Sequence, residues 1–338
     1  MTGLDASSLA LFWAGVVAVA ILVYVVLDGF DLGVGILFGT TGDLVLRRQM
    51  MATIAPFWDG NETWLVVIGA TLFAAFPKVY AVFLPAFYLP VLLLLVGLIF
   101  RGVAFEFRVH GGERPLWDRG FFLGSVLATF VQGAAVGAMI RGIPVENGQY
   151  AGDAFGWLAP LPVLCGFGLI AGYALLGAGW LLLKSDGPLR AWARERVPRL
   201  AATVLVVLGL AFVAALFDRA HLGGSLVERR WGLIFPALGL LAMLGVLVAN
   251  RRQHDAWPFV LTVLFFLAAF ATLAVMFWPY MIPYTLTVAN AAAPEASLSF
   301  LFWGAGIVVL PVIIVYTLVV YWVFRGKTHR GYGEVGER

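Results

Sequence analysis

Long apolar runs separated by short polar connections dominate this chain. A helix that crosses the hydrocarbon core of a bilayer needs about 20 mostly apolar residues. Nine segments meet this requirement, and they predict transmembrane helices over residues 8–36, 53–74, 79–101, 120–140, 157–183, 200–217, 231–249, 257–278 and 299–324. The longest connections are 102–119, 184–199 and 279–298. We therefore expect an all-α polytopic membrane protein with a single transmembrane domain over residues 1–338.

The composition supports the same class of protein. Hydrophobic residues make up 62% of the chain and charged residues only 12%, whereas soluble domains carry about 25% charged residues. The net charge of +3 does not indicate nucleic-acid binding, because the basic residues lie in short connections between apolar spans. No nucleic-acid partner is expected.

The distribution of Lys and Arg predicts the topology. With the N-terminus outside, 17 of the 22 basic residues fall on the cytoplasmic side, in segments 47–48, 101–119, 184–199, 251–252 and 325–338. The other side carries five, which are Lys78, Arg141, Arg219, Arg229 and Arg230. Because cytoplasmic loops are enriched in basic residues, the count favours nine helices, an outside N-terminus and a cytoplasmic C-terminus.

Two carboxylates at the start of the second predicted helix depart from the apolar pattern. Asp59 and Glu62 are three residues apart, so they share one face of a helix. An ionised acid at the centre of a membrane helix costs about 2.5 to 3.5 kcal/mol on insertion scales. Two neighbouring carboxylates also repel each other unless one holds a proton or a cation lies nearby. Such a pair is suited to a proton path.

The first predicted helix carries a second acidic pair with the same spacing. Asp28 and Asp31 are expected at the cytoplasmic end of this helix, at a depth similar to that of the first pair. Gly29, Gly33 and Gly35 lie between and beyond them, and small residues of this kind let a neighbouring helix approach closely. A purely structural role, in which both acids lock the first helix against its neighbours, is an equal alternative.

The groups around these acids are open to two interpretations. Arg101, at the end of the third predicted helix, is either a counter-ion for the acids or a flanking residue that extends to the headgroups. Asp59 is either a proton carrier or a structural acid that pairs with Arg101 or caps its helix. Asn61 is expected to orient an acid or a water. Trp58 and Trp64 are expected to anchor the interface or a subunit contact.

The histidines give no sign of a haem site in this chain. His110, His221, His254 and His329 all fall in predicted connections or in the C-terminal tail, so no intramembrane pair is placed to ligate a haem iron. A chain with intramembrane acids and no cofactor ligands is either a transporter or a helper subunit of a redox or proton-translocating machine. A proton- or cation-coupled secondary transporter would show a mid-membrane site, broken helices and an internal repeat.

Four segments in the first third of the chain resemble the signature segments of one family. They are similar to those of subunit II of cytochrome bd-type quinol oxidases, in particular the cyanide-insensitive branch. The segments are residues 28–35 (DGFDLGVG), 54–65 (IAPFWDGNETWL), 72–81 (LFAAFPKVYA) and 100–108 (FRGVAFEFR). The length and the nine-span layout are also similar over the whole chain.

This resemblance implies a heterodimeric complex of the bacterial inner membrane. Its haem-bearing subunit I would carry two b-type haems and a haem d or haem b at the oxygen site, and subunit II would ligate no haem. The complex would oxidise a membrane quinol and reduce oxygen to water with cytoplasmic protons. Small accessory subunits, lipids and a bound quinone are further partners that this family admits.

The resemblance also implies roles for the polar residues. The acid matched by Asp59 would lie at a cytoplasmic proton entry that leads toward subunit I, with Asp31 assisting. Position 62 is Glu where other members can carry Gln, so Glu62 is expected to tune the site. The expected proton pathway is Asp59, Asp31, Asp28 and Glu62, with Trp58, Asn61, Trp64 and Arg101 in support. A pure assembly scaffold is the remaining alternative.

Overall fold

The structure, a computed structural model, describes residues 6–110, 115–217 and 229–328. It confirms the all-α class, since helices account for almost all of the regular structure. Of the residues used above for topology or for haem ligation, six lie outside the described residues: Arg114, Arg219, His221, His329, Arg330 and Arg338.

The helices follow one another with few long connections. They are α1 (Ala6–Phe38), α2 (Leu44–Ile54), α3 (Trp58–Ala75), α4 (Pro77–Ala86), α5 (Tyr88–His110), α6 (Pro115–Arg141), α7 (Pro160–Lys184), α8 (Gly187–Phe217), α9 (Ile234–Arg251), α10 (Trp257–Phe277), α11 (Val288–Ala291), α12 (Glu295–Leu301), a π-helix (Phe302–Val309) and α13 (Leu310–Val323). Two short antiparallel hairpins pair β1 (Val145–Glu146) with β2 (Gln149–Tyr150) and β3 (Tyr280–Ile282) with β4 (Leu286–Thr287).

Eight helical segments within the described residues are long and apolar enough to cross a membrane. Helix α3, with 18 residues, is not among them, because Asp59, Asn61 and Glu62 in its first turns lower its mean hydropathy. The count of nine spans and the orientation of the termini therefore stay predictions. The polar residues of α3 that belong to the candidate site are thus the same residues that make α3 less apolar than the other helices of its length.

The structure corrects one predicted span and one predicted loop in the first third of the chain. The span predicted over 79–101 is divided at Phe87 into α4 and α5, with Pro85 and Pro90 on either side of the break. Proline lacks a backbone N–H and disfavours a continuous helix. The loop predicted between the first two spans contains α2, whose N-terminus is capped by the Asp43 carboxylate at 2.8 Å from the Val45 amide nitrogen.

The connections predicted over 102–119 and 184–199 are largely helical instead. Helix α5 continues to His110, and α8 begins at Gly187, well before its apolar stretch. Hydropathy locates the point where a helix leaves the hydrocarbon. It does not locate the end of the helix, because Arg and Glu have good helix propensity in water.

Glycines set the closest helix contacts of α1. A Cβ built on Gly33 would collide with the backbone carbonyl of Tyr173 in α7, and one built on Gly177 would lie 2.5 Å from the Gly33 carbonyl carbon. One turn earlier, a Cβ on Gly29 would lie 2.8 Å from the Tyr173 ring. Small residues thus bring the α1 and α7 backbones together, which fixes α1 at the level of its acidic pair.

At the opposite end of the bundle, the segment after α10 is tied to the first helices. The Trp13 indole nitrogen donates to the Leu298 carbonyl at 3.3 Å. The Ala293 amide donates to the Ala75 carbonyl at 2.9 Å. These bonds hold α12, and with it the following π-helix and α13, beside α1 and α3.

Candidate functional site

The acidic pair of α1 is fully enclosed. Asp28 and Asp31 both have 0% of their surface exposed. They lie near the C-terminal end of α1, in the segment whose glycines Gly29 and Gly33 pack against Tyr173 of α7. A carboxylate in this position requires a cation, a hydrogen-bond donor or a proton.

Arg101 supplies the cation. This residue of α5 places one guanidinium nitrogen 2.7 Å from Asp28 Oδ1 and 3.2 Å from Glu62 Oε1. Its side chain is only 2% exposed. The interpretation of Arg101 as a residue that extends to the headgroups is therefore wrong, because the guanidinium turns inward to two carboxylates on different helices.

Asn61 supplies the donor for the second acid. Its side-chain amide nitrogen lies 2.6 Å from Asp31 Oδ2 and 3.3 Å from the Leu27 carbonyl oxygen. The Tyr321 hydroxyl in α13 donates to the Asn61 side-chain oxygen at 3.0 Å. Asn61 thereby connects α1, α3 and α13. Tyr321 is a member of the site that the sequence did not indicate, since 260 residues separate it from Asn61.

The two acids of α3 lie closer to the surface than those of α1. Glu62 has a side chain that is 25% exposed, and Asp59 is exposed in the first turn of α3. The helix dipole favours a carboxylate at this end of α3. In the part of the chain that the structure describes, the ion pairs of Arg101 go to Asp28 and Glu62, so the suggested Arg101–Asp59 pair is not found.

Four buried polar atoms of the cluster have no hydrogen-bond partner among the described residues. They are Asp28 Oδ2, Asp31 Oδ1, one terminal nitrogen of Arg101, and Glu62 Oε1, which has only its ion-pair contact with Arg101. Buried polar atoms are nearly always hydrogen-bonded in folded proteins, and an unsatisfied one costs about 1 to 3 kcal/mol. The cluster thus has hydrogen-bonding capacity that its own side chains leave unused.

A further polar group extends from Asp28 along the inside of the bundle. The Gln132 side-chain nitrogen donates to the Tyr24 hydroxyl at 3.1 Å, and the Tyr173 hydroxyl donates to the Gln132 oxygen at 3.1 Å. Tyr24 lies one helical turn before Asp28. The sequence shows Gln132 and Tyr173 as isolated polar residues, because no spacing rule connects three different helices.

The two tryptophans of α3 differ in their surroundings. Trp58 is partly buried, and its ring centroid lies 5.4 Å from that of Phe105 in α5. Trp64 is 5% exposed and packs in a small cluster with Ala20 and Tyr24. Trp64 is therefore an internal packing residue of this chain, and Trp58 covers the side of α5 next to the arginine.

The two histidines among the described residues lie at helix boundaries. His254 is exposed in the turn between α9 and α10, and His110 is the last residue of α5. Over residues 6–110, 115–217 and 229–328, no group of three or more His, Cys, Asp or Glu side chains is arranged to hold a metal ion.

The fold and the site together define a multi-pass α-helical membrane protein built around a buried cluster of three carboxyl groups and one guanidinium. The model of the cytochrome bd terminal oxidase subunit II family matches residues 9–324. The chain belongs to this family.

Individual relatives agree with this assignment. The chain is 30% identical to the cytochrome bd-I ubiquinol oxidase subunit 2 of Escherichia coli K12, with 96% of each chain covered. It is 31% identical to the cytochrome bd ubiquinol oxidase subunit 2 of Bacillus subtilis 168, over 95% of this chain and 97% of that one. A chain of the bd oxidase from Geobacillus thermodenitrificans has the same fold, with a TM-score of 0.73 over 94% of this chain and 99% of that one, at 17% identity.

Membership gives the cellular setting. The protein is a multi-pass protein of the bacterial inner membrane and a subunit of a respiratory oxidoreductase complex. A second subunit and haems in the complex follow from the family.

Proposed function

We propose that this chain is the haem-free subunit II of a quinol:oxygen oxidoreductase, which stabilises the haem-bearing subunit I and admits protons for the reduction of oxygen to water. In this proposal, subunit I carries haem b and haem d or b. The residues of this chain bind and pass protons but touch no reacting oxygen atom.

The observation that carries the proposal is a graded series of carboxyl groups. Asp59 is exposed, Glu62 is 25% exposed, and Asp28 and Asp31 are fully buried. Asp59 and Glu62 are neighbours on one helix face, and Arg101 joins Glu62 to Asp28. The series leads from the surface of the chain to its interior, and Arg101 contacts its two middle members, Glu62 and Asp28.

The charges of the cluster favour proton uptake. One guanidinium cannot neutralise Asp28, Asp31 and Glu62 together, so binding of a proton lowers the electrostatic repulsion among them. The unpartnered oxygens Asp28 Oδ2 and Asp31 Oδ1 are the acceptors for that proton or for a water that delivers it. Asn61 and Tyr321 hold the Asp31 carboxyl in place while its protonation changes.

The test is proton-coupled turnover of the assembled oxidase in proteoliposomes. We expect Asp59→Asn to lower quinol oxidase turnover and the membrane potential while haem content stays complete. Glu62→Gln should lower both less, because Glu62 is expected to tune the site and not to be required by it. Glu195→Gln is the matched control, because Glu195 is an exposed carboxylate of α8 that lies outside the cluster. Its turnover should equal that of the wild type.

Wild-type turnover and potential in Asp59→Asn with full haem content would refute the proton entry and leave an assembly scaffold. Collapse of the haem content in Asp59→Asn would assign the residue a structural role. The visible spectrum of the purified complex tests the oxidase itself, since haem bands and a second large subunit should copurify. A colourless protein that accumulates a solute in vesicles would support a secondary transporter instead.

A further inference from the structure

Lys184, the last residue of α7, is a buried cation that the acidic cluster does not include. Only 3% of this residue is exposed. Its ammonium group contacts two backbone carbonyls and two aromatic rings, and in the part of the chain that the structure describes no carboxylate forms an ion pair with it. Because a buried charge is costly unless its surroundings compensate it, these four contacts carry the whole compensation that the described residues offer.

The ammonium group of Lys184 binds the C-terminal end of α13. It donates to the carbonyl oxygen of Phe324, the residue that follows the last turn of α13, and to that of Gly326 at 2.7 Å. Carbonyls at the C-terminus of a helix lack partners within the helix and carry partial negative charge, so a lysine suits them well. The Thr328 amide donates in return to the Lys184 carbonyl at 2.8 Å. These bonds hold residues 324–328 against the end of α7.

Two aromatic rings are neighbours of both Lys184 and Tyr321. The Lys184 ammonium nitrogen lies 5.3 Å from the ring centroids of Phe57 and Trp180, a distance at which a cation is attracted to a ring face. The centroid of the Tyr321 ring is 4.7 Å from that of Phe57 and 6.4 Å from that of Trp180. The Trp180 indole nitrogen donates to the Thr53 carbonyl at 3.2 Å, which fixes one of the two rings. The cation and the tyrosine therefore belong to one packed group.

Packing within this chain does little to fix the end of α13. None of the residues of α13 is buried, and the apolar span Glu295–Val323 is the least enclosed of the eight found among the described residues. Lys327 also ties the segment after α13 to Asp186 at 2.7 Å, but both side chains are partly exposed, and such pairs contribute little. The position of Tyr321, three residues before Phe324, therefore depends strongly on the bonds of Lys184.

Tyr321 in turn determines which way the Asn61 side chain faces. An amide side chain has an acceptor end and a donor end. The Tyr321 hydroxyl donates to the Asn61 oxygen at 3.0 Å, and the Asn61 nitrogen then lies 2.6 Å from Asp31 Oδ2. Without the tyrosine donor, the amide oxygen loses this partner and the hydrogen bond to Asp31 loosens. The end of α13 is thus connected to a fully buried carboxyl group of α1.

We propose that Lys184 is a positioning residue of the acidic cluster. It binds the end of α13 and holds Tyr321 against Asn61, so that the Asn61 amide stays directed at Asp31. A lysine at the end of a membrane helix also follows from topology alone, but a lysine kept for topology extends to water, whereas this ammonium group turns inward to backbone carbonyls. The consequence for proton uptake rests on the proposed function, because it needs Asp31 to carry protons.

The test is infrared spectroscopy of the whole purified oxidase complex. The bands of the Asp31 carboxyl group are those that disappear in Asp31→Asn, and their frequencies change with the hydrogen bonds that this group accepts. We expect Lys184→Met to shift these bands in the same direction as Tyr321→Phe, while the haem spectrum stays that of the wild type. Lys78→Met is the matched control, because Lys78 is an exposed lysine that also donates to a backbone carbonyl, that of Asn290 at 2.8 Å. Its Asp31 bands should equal those of the wild type.

The double variant Lys184→Met with Tyr321→Phe tests whether the lysine acts through the tyrosine. Its Asp31 bands should shift no further than those of Tyr321→Phe alone. A larger, additive shift would overturn the proposal, because Lys184 would then affect Asp31 by another route.

Asp31 bands at the wild-type position in Lys184→Met would also overturn it, and Lys184 would then anchor only the segment after α13. If Lys184→Met fails to assemble, Lys184→Gln decides the question, since its shorter, uncharged side chain cannot bind both carbonyls. Its bands should shift in the same direction, and unshifted bands would overturn the proposal.

The pH dependence of quinol oxidase turnover in the same samples separates this proposal from the proposed function. If Lys184→Met shifts both the Asp31 bands and the pH dependence of turnover, both are supported. If the bands shift and the pH dependence stays that of the wild type, Lys184 positions Asp31, and the role of Asp31 in proton uptake is refuted.

Discussion

Arg101 lies 2.7 Å from Asp28, and neither side chain of this ion pair is more than 2% exposed. A pair enclosed to this degree contributes little net stability when both members are present, because each charge has lost its hydration. Loss of one member is far more costly, since the other is left buried without a partner. The pair therefore makes assembly of α1 and α5 depend on both residues.

Replacement of Arg101 alone should destabilise the complex strongly. We expect Arg101→Met to cost about 3 to 5 kcal/mol, the usual range for removal of one partner of a buried pair. The double variant Arg101→Met with Asp28→Leu should recover part of this loss, because the fully buried Asp28 charge is gone while the partly exposed Glu62 still lacks its cation. Thermal unfolding of the assembled complex in detergent measures both variants.

The control for this prediction is Arg119→Met. Arg119 is exposed on α6, so its loss should change the unfolding temperature little. If the single variant Arg101→Met unfolds at the temperature of Arg119→Met, the ion pair does not hold α1 against α5.

The sequence predicted the class and much of the site for physical reasons. Apolar runs of membrane length are unambiguous, and charged residues inside them are rare enough to point directly to Asp28, Glu62 and Arg101. The sequence offered Arg101 as a counter-ion for the acids, but it did not identify which of them the guanidinium contacts. Helical spacing identifies neighbours on one helix, but it does not state which helix lies opposite.

The contribution of α13 to the site is a second contact between helices that the sequence did not predict. In the sequence, Tyr321 is one of several aromatic residues near the end of the last predicted span, and it becomes a site residue only because the π-helix and α13 lie beside α3. The break at Phe87 was missed because the apolar pattern continues through it. The extra turns of α8 were missed because charged residues form helices outside the membrane as readily as apolar ones do within it.

The contact between Gly33 and Tyr173 predicts a steric effect. Gly33→Ala should destabilise the chain by about 1 to 3 kcal/mol, because the new methyl group meets the Tyr173 backbone carbonyl, which cannot rotate away. Gly15→Ala is the control on the same helix, since a Cβ there meets nothing within 4 Å. Thermal unfolding and yield of the assembled complex are the measurements. Equal values for the two variants would show that α1 and α7 can separate freely.

The hydrogen bonds of Asn61 predict that two substitutions lower the stability of the complex by different amounts. Tyr321→Phe removes one hydrogen bond and should cost about 0.5 to 1.5 kcal/mol. Asn61→Leu removes the donor to Asp31 as well and leaves a buried carboxylate oxygen unpaired, so its cost should be larger. Unfolding of the purified complex orders the two variants. A Tyr321→Phe loss greater than that of Asn61→Leu would contradict the role of Asn61 as the central member.

Asp255 and Lys327 belong to a second group of ion pairs, which is separate from the acidic cluster. The stability that this group contributes depends on pH. Partial burial raises the pKa of Asp255, but hydrogen bonds from Arg190 and Lys327 outweigh this and hold the pKa below its ordinary value of 3.8. The hydrogen bond to Asp186 raises the pKa of Lys327 above its ordinary value of 10.5. Each shift means that the folded state favours the charged form of that group.

The sign of the pH effect follows from these two directions. Asp255 contributes its stabilisation at pH values above about 4 and loses it as the pH falls through its lowered pKa, whereas Lys327 contributes below about pH 10 and loses it as the pH rises through its raised pKa. The difference in unfolding temperature between the wild type and Asp255→Asn should therefore be constant from about pH 5 to pH 9 and shrink below about pH 4. The difference for Lys327→Met should shrink above about pH 10, and it should also shrink below about pH 4, where its partner Asp255 takes up a proton. Each difference should be small, because these partly exposed pairs contribute about 1 kcal/mol or less. A difference for Asp255→Asn that stays undiminished at about pH 3 would mean that the carboxylate does not hold the end of α13 against α8.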